Sequence, residues 1–141
     1  MNKEEFDKLN IFGQGQENSY GKYFIGKSYL NPLSVVKDAN FSAFNVTFEP
    51  GCRNNWHIHH ASCGGGQVLI CIAGEGWYQE EGRDPISLTP GVVITIPANV
   101  KHWHGAKKDS WFSHIAIEVP GENASNEWCE AVEDEEYNKL S

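Results

Sequence analysis

Residues 55–74 read NWHIHHASCGGGQVLICIAG, and the chain continues as EGWYQEEG to residue 82. His57 and His59 stand two apart in a short stretch flanked by turn-forming residues. On a strand, residues two apart point to the same face, so both imidazoles face one side while Trp56 and Ile58 face the other. QVLICIA (67–73) is a continuous apolar run of strand length, as expected for a strand covered on both faces. Gly74-Glu75-Gly76 turns it into WYQEE (77–81). Two strands, a glycine-rich loop and a tight return make this region β-structure, with two histidines aimed at whatever its inner side encloses.

The same texture extends in both directions. KYFIGKSYL (22–30) reads as a strand ended by Asn31-Pro32, FSAFNVTFE (41–49) as one stopped by Pro50-Gly51, and ISL (86–88), VVITI (92–96) and WFSHIAIEV (111–119) as three more between Gly and Pro turns. Helix is expected only at the ends. Residues 2–10 form one, with Asn2 as cap, Glu5 in the capping-box position and Phe6 and Leu9 sharing a face. Residues 133–140 form another. Many short strands and little helix predict an all-β sandwich or barrel. There is no internal repeat and no linker. The division expected is an N-terminal helix and loop (1–21), a barrel (22–120) and a C-terminal segment (121–141) that covers the barrel, anchored by Trp128 and Tyr137.

The 141 residues suit one domain. With 11 Lys plus Arg against 19 Asp plus Glu, the chain lacks the basic face that nucleic acid or an anionic membrane requires. No apolar run reaches 18 residues, and MNKEEFDKLN has no apolar core of a secretory signal, so a cytoplasmic protein with reduced cysteines is expected. Cys71 reads as a small buried hydrophobe and Cys63 as an exposed, oxidisable thiol.

Five of the six histidines lie in WHIHH (56–60) and HWH (102–104), and the sixth is His114. His57 and His59 form a clamp, and His102, following a turn, can swing in from a neighbouring strand. Three neutral imidazoles suit Zn, Mn, Fe, Ni or Cu.

The sequence here resembles a family. Gly51, His57-Ile58-His59, Gln67 and Gly74 are similar to the first cupin motif, and Gly91, Pro97 and His102 to the second. The resemblance runs from about residue 22 to 140. It implies a cupin double-stranded β-helix, a jelly-roll barrel, with one divalent metal on His57, His59, Gln67 and His102. VTFEPG (46–51), GWYQEEG (76–82) and KHWHGA (101–106) bring the chain nearest to small single-domain cupins, a branch that includes manganese-dependent hydroxynitrile lyases and cupins linked to carboxymuconolactone decarboxylases. That likeness implies manganese, with iron, zinc and nickel as alternatives, a pocket wall of Phe44, Val46 and Phe48, and a homodimer or dimer of dimers.

Two departures stand out. Seven residues, HASCGGG (60–66), separate His59 from Gln67 where the family has three or four, which makes His60 and Cys63 competitors for the fourth ligand position. Asn99 stands where the family often has Gly, and a left-handed backbone is expected there. A neutral Gln67 would leave the full charge of the ion on the site and make it a stronger Lewis acid than a carboxylate would. His104, two residues after His102, His114, and Glu118, which shares a face with His114, are the candidates for proton transfer, the two histidines otherwise orienting the ligands. The activity the resemblance implies is lyase chemistry, carbon–carbon bond cleavage or formation or decarboxylation, with the metal as Lewis acid on a small oxygen-bearing substrate. A metal-dependent dioxygenase and a non-catalytic metal- or ligand-binding module are the alternatives.

Overall fold

The computed structural model describes residues 1–140. Helix α1 (Lys3–Leu9) begins as its sequence requires. The Asn2 side chain accepts from the Glu5 N–H at 2.9 Å, and Glu5 accepts from the Asn2 N–H at 3.0 Å. Phe6 is buried against Trp111, with rings 5.8 Å apart. Leu9, expected on the same face, is instead exposed. It is the last helical residue, and the chain there turns to send Asn10 inward, where Asn10 donates to Thr47 and accepts from Asn45.

The barrel is built from ten main strands: β1 (Ser28–Val36), β2 (Phe41–Phe48), β3 (His57–His60), β4 (Gln67–Gly74), β5 (Gly76–Glu80), β6 (Ile86–Leu88), β7 (Val93–Ile96), β8 (His102–Ala106), β9 (Phe112–Glu118) and β10 (Ser125–Trp128). One sheet runs β1-β2-β9-β4-β7, with Gln16–Glu17 paired outside β1. The other runs β6-β5-β8, and β8 pairs with β3, which pairs with β10. Arg53–Asn54 and Phe24–Ile25 carry the far end of this sheet. All these pairings are antiparallel, and the two sheets curl over one interior, forming a jelly-roll barrel. Gly74 makes the tight β4–β5 link possible. Its φ is 72°, and a Cβ there would sit 1.7 Å from the Trp111 carbonyl oxygen.

Three elements differ from the sequence reading. Residues 22–30 are not one strand. A 3₁₀ turn (Gly21–Tyr23) and the short Phe24–Ile25 strand precede β1, which runs through Asn31-Pro32 to Val36. Proline is tolerated because β1 is an open edge beyond Leu30, where a missing N–H costs no ladder bond, and the pairing to β2 shifts between Pro32 and Ser34. HWH (102–104) does follow a turn, as expected, and opens a five-residue strand in which every residue is buried. SNEW (125–128) is a strand, so the C-terminal segment extends a sheet as well as covering it. The final helix α2 (Asp134–Tyr137) is shorter than expected.

Alternation along β5, β8 and their neighbours creates two apolar clusters. Inside the barrel are Val46, Phe48, Leu69, Cys71, Tyr78 and Phe112 with their neighbours. On the outer side of the β8 sheet are Trp56, Trp77, Trp103, Val132 and Tyr137. Arg53, 4% exposed, fastens the C-terminal segment over the outer cluster, donating twice to the Val132 carbonyl at 2.7 and 3.0 Å and to Asp134 at 2.7 Å.

Candidate metal centre

Four strands carry polar side chains into one end of the barrel. β3 contributes His57 and His59, β8 contributes His102 and His104, β4 contributes Gln67, and β9 contributes His114 and Glu118. The registers are tight: His102 opposes His57, and Glu118 opposes Gln67. The rings of His57 and His102 are 4.2 Å apart, and His59 lies 5.1 and 5.2 Å from them.

Each of these three imidazoles is held by its Nδ1 atom. His57 Nδ1 lies 2.8 Å from the Asn55 carbonyl oxygen, and His102 Nδ1 lies 2.9 Å from that of Val100. A carbonyl oxygen only accepts, so both Nδ1 atoms carry the proton and donate, which leaves the Nε2 lone pairs free. His59 Nδ1 donates in the same way to Asn126 Oδ1 at 2.9 Å. His59 Nε2, His102 Nε2 and Gln67 Oε1 are buried and have no hydrogen-bond partner. Buried acceptors without partners are costly, so a cluster of them wants a ligand. Three pinned Nδ1–H imidazoles with open Nε2 atoms, beside an open amide oxygen, fit a divalent ion. Burial reinforces this. It is the largest cause that holds His57 well below the usual imidazole range and brings His102 down to about 4, so both stay neutral and able to coordinate.

His104 is also close. Ligand atoms of His57, His102 and His104 all lie within 4.8 Å of one another, so three histidines here could bind a metal ion. The ring nitrogens of His104 are otherwise engaged, however. They meet Asn54 Nδ2 at 3.2 and 3.4 Å, and Nδ1 meets His114 Nε2 at 3.2 Å. Proximity favours His104 and open lone pairs favour His59. The open lone pair is the stronger criterion, because a donor already bonded must give up that bond to coordinate. Burial keeps His104 well below the usual range and His114 at about 4, so this pair is also neutral.

The centre forms the floor of a chamber of about 330 Å³ that contains His57, His59, Gln67, His104, His114 and Glu118. Phe44, Val46 and Phe48 line it on β2, together with Phe24, Leu30 and Ala116. Glu118 stands toward the rim with its Oε1 3.8 Å from His59 Nδ1, and burial raises its carboxyl above the ordinary range while His59 opposes that rise. The lining residues include no lysine or arginine among the described residues.

Of the two competitors for Gln67, His60 projects from the other face of β3 and its Nε2 pairs with Glu127 at 2.7 Å. Cys63 is exposed in a two-residue strand (Cys63–Gly64) paired with Gly121–Glu122. The seven-residue insertion is thus drawn out sideways. Gly66, with φ 89°, passes so close to β7 that a Cβ would lie 2.3 Å from the Ile96 carbonyl oxygen. Asn99, left-handed at φ 70° as expected, ties the insertion down by accepting from the Ala61 N–H and donating to its carbonyl. The sequence reading missed Asn54 and Asn126 altogether and took Trp128 only as an anchor. Trp128 stacks on Tyr23 at 4.5 Å and packs on His57 at 4.8 Å, roofing the chamber. Only the β3–β10 pairing brings it and Asn126 there, and no motif spacing signals it.

The cupin domain family matches residues 44–117, just over half of the chain. The chain belongs to the cupin family. It is 38% identical over 118 residues to the (R)-mandelonitrile lyase of Granulicella tundricola, a match covering 83% of this chain and 87% of that one. A cupin-like protein from Thermotoga maritima superposes with a TM-score of 0.80 at 36% identity, over 93% of this cupin and 96% of the other chain. A predicted oxalate decarboxylase from the same organism, 16% identical with a TM-score of 0.64 over 74% and 90% of the two chains, shares the fold.

Proposed function

We propose that this cupin is a divalent-metal lyase that cleaves a carbon–carbon bond beside a hydroxyl group in a small, neutral, aromatic or apolar substrate. The proposed ligands are Nε2 of His57, His59 and His102 with Oε1 of Gln67, and manganese is the proposed ion. The observation that carries the reading is a set of buried acceptors without partners, His59 Nε2, His102 Nε2 and Gln67 Oε1, with the imidazoles of His57, His59 and His102 packed 4.2–5.2 Å apart and His57, His59 and Gln67 lining an apolar chamber. The likeness to a mandelonitrile lyase supports an aromatic cyanohydrin as the first substrate to test. The chamber itself disfavours an anion, since Glu118 is its acidic residue and no Lys or Arg lines it.

When bound, the ion supplies Lewis acidity that stabilises negative charge on the substrate oxygen. The chain supplies the rest. Phe44, Val46, Phe48 and Trp128 hold the ring and exclude water. His104, neutral through burial and backed by His114, takes the hydroxyl proton on the nitrogen that otherwise accepts from Asn54, the substrate hydroxyl displacing that bond. As the carbonyl forms, the carbon–carbon bond breaks, its electron pair leaves with cyanide, and return of the proton releases hydrogen cyanide. Glu118 at the rim is the alternative acceptor.

The test is cyanide release from each mandelonitrile enantiomer by protein stripped of metal and then reloaded with manganese. Activity should track metal content, and His104→Ala should lose roughly 10²-fold in turnover with metal content unchanged. Equal turnover by the stripped protein would overturn the proposal.

A further inference from the structure

The three imidazoles of the centre are not held alike. His57 and His102 each donate Nδ1–H to a backbone carbonyl two residues earlier in the chain, Asn55 and Val100. Those contacts are built into the local backbone and no side-chain substitution removes them. His59 depends on a side chain, Asn126, whose Oδ1 lies 2.9 Å from Nδ1. Asn126 comes from β10, directly across the strand pair from His59, and lies outside the residues 44–117 matched by the family. A second acceptor waits nearby: Glu118 Oε1 is 3.8 Å from the same Nδ1, beyond hydrogen-bonding distance.

We infer that Asn126 is the positioning residue that completes the metal centre, holding His59 in the Nδ1–H tautomer and aiming its unpartnered Nε2 at the ion. The inference rests on His59 being a ligand. A neutral imidazole has one N–H, and the acceptor it finds decides which nitrogen keeps the lone pair. Without Asn126, Nδ1–H loses its partner. The ring then either takes the other tautomer, which places a proton where the ion must sit, or turns toward Glu118. Both weaken coordination. The backbone of β10 is unaffected by the loss, because the strand is held by its ladder to β3 and by Trp128 stacked on Tyr23. An aspartate at position 126 presents a carboxylate oxygen to the same Nδ1–H and should serve as well or better, since a carboxylate raises the donor strength of the imidazole behind it.

The experiment has two arms, both on the full chain. In the first, two-bond ¹H–¹⁵N correlation spectra of the metal-free protein above pH 7 report the tautomer of His59. Wild type and Asn126→Asp should show Nδ1–H, and Asn126→Ala a mixture or the Nε2–H form. In the second, titration with manganese should give a dissociation constant about 10- to 100-fold weaker for Asn126→Ala, with Asn126→Asp within a few-fold of wild type. Ser125→Ala, on the neighbouring position of β10, controls for strand disturbance and should leave both readouts unchanged. An Nε2–H tautomer in the wild type, or an unchanged Nδ1–H tautomer in Asn126→Ala, overturns the positioning role. A switched tautomer with unchanged manganese affinity overturns it differently, by removing His59 from the ligand set while leaving its bond to Asn126 intact.

Discussion

The two faces of the β8 sheet are made from the same short motifs and do opposite things. In HWH (102–104), His102 and His104 point into the barrel and Trp103 points out. On the outer face three polar groups have partners: Trp103 Nε1 donates to Gln79 at 3.0 Å, Tyr137 donates to the Ala106 carbonyl, and Arg53 donates to the Val132 carbonyl. On the inner face His102 Nε2 and, on the neighbouring strand β3, His59 Nε2 are buried with none. The outer face has the chemistry of a structural joint and the inner face that of a site waiting for a ligand. An acceptor buried without a partner costs about 1–3 kcal/mol, so the inner face is built to be satisfied by a ligand where the outer face is satisfied by the protein itself.

That contrast is broken or sharpened by substitutions on each side. The largest effect is expected from His57→Ala and His102→Ala. Each should reduce metal retention by roughly 100-fold or more, a greater loss than removing an orienting partner causes, while the far-ultraviolet circular dichroism spectrum stays that of the wild type. A mutant without β-structure would mean that the inner face is a structural joint too.

On the outer face, Arg53→Ala should destabilise by on the order of 3 kcal/mol in urea unfolding, because the buried Val132 carbonyl loses a charged donor. Manganese affinity should be unchanged. Loss of metal along with stability would show that the two faces are coupled.

Acid should act on the inner face. His102 and His114 are both depressed to about 4 by burial, below the usual 6.5. The unfolded chain takes up those protons first as pH falls. The contribution of each neutral imidazole is therefore complete above pH 6.5 and is lost as pH falls toward 4, by up to about 3 kcal/mol per histidine. Unfolding free energies of metal-free protein across that window check this, and a flat profile contradicts it.

The smallest effects concern the fourth ligand. Gln67→Ala should weaken manganese binding by about tenfold, the lower end of what loss of a supporting group costs, while Gln67→Glu keeps the metal and lowers turnover by reducing the charge on the site. His60→Ala should change affinity by less than about twofold, since His60 faces Glu127 on the outside. A larger loss with His60→Ala than with Gln67→Ala would reassign the fourth ligand.

Much of this was legible in the residues themselves. Period-two alternation and Gly and Pro turns determined an all-β chain, and the HxH spacing put His57 beside His59 on one face, because strand geometry leaves no other option. The capping box of α1 and the left-handed turn at Asn99 are equally local, and each depends on a few dihedral angles and one or two hydrogen bonds. The path of β1 through Asn31-Pro32 was not legible, since whether proline breaks a strand depends on whether the strand is an edge. Nor were the parts of the site that come from far along the chain. Ser125–Trp128 has no apolar alternation of its own and becomes a strand because β3 offers it an edge. Asn126 and Trp128 therefore reach the chamber through pairing alone, while Asn54, three residues before His57, is set by the pairing of Arg53–Asn54 with Phe24–Ile25 and β8. The outward fate of His60 and Cys63 was likewise a tertiary decision, made when the glycine-rich insertion paired with Gly121–Glu122 instead of folding back over the histidines.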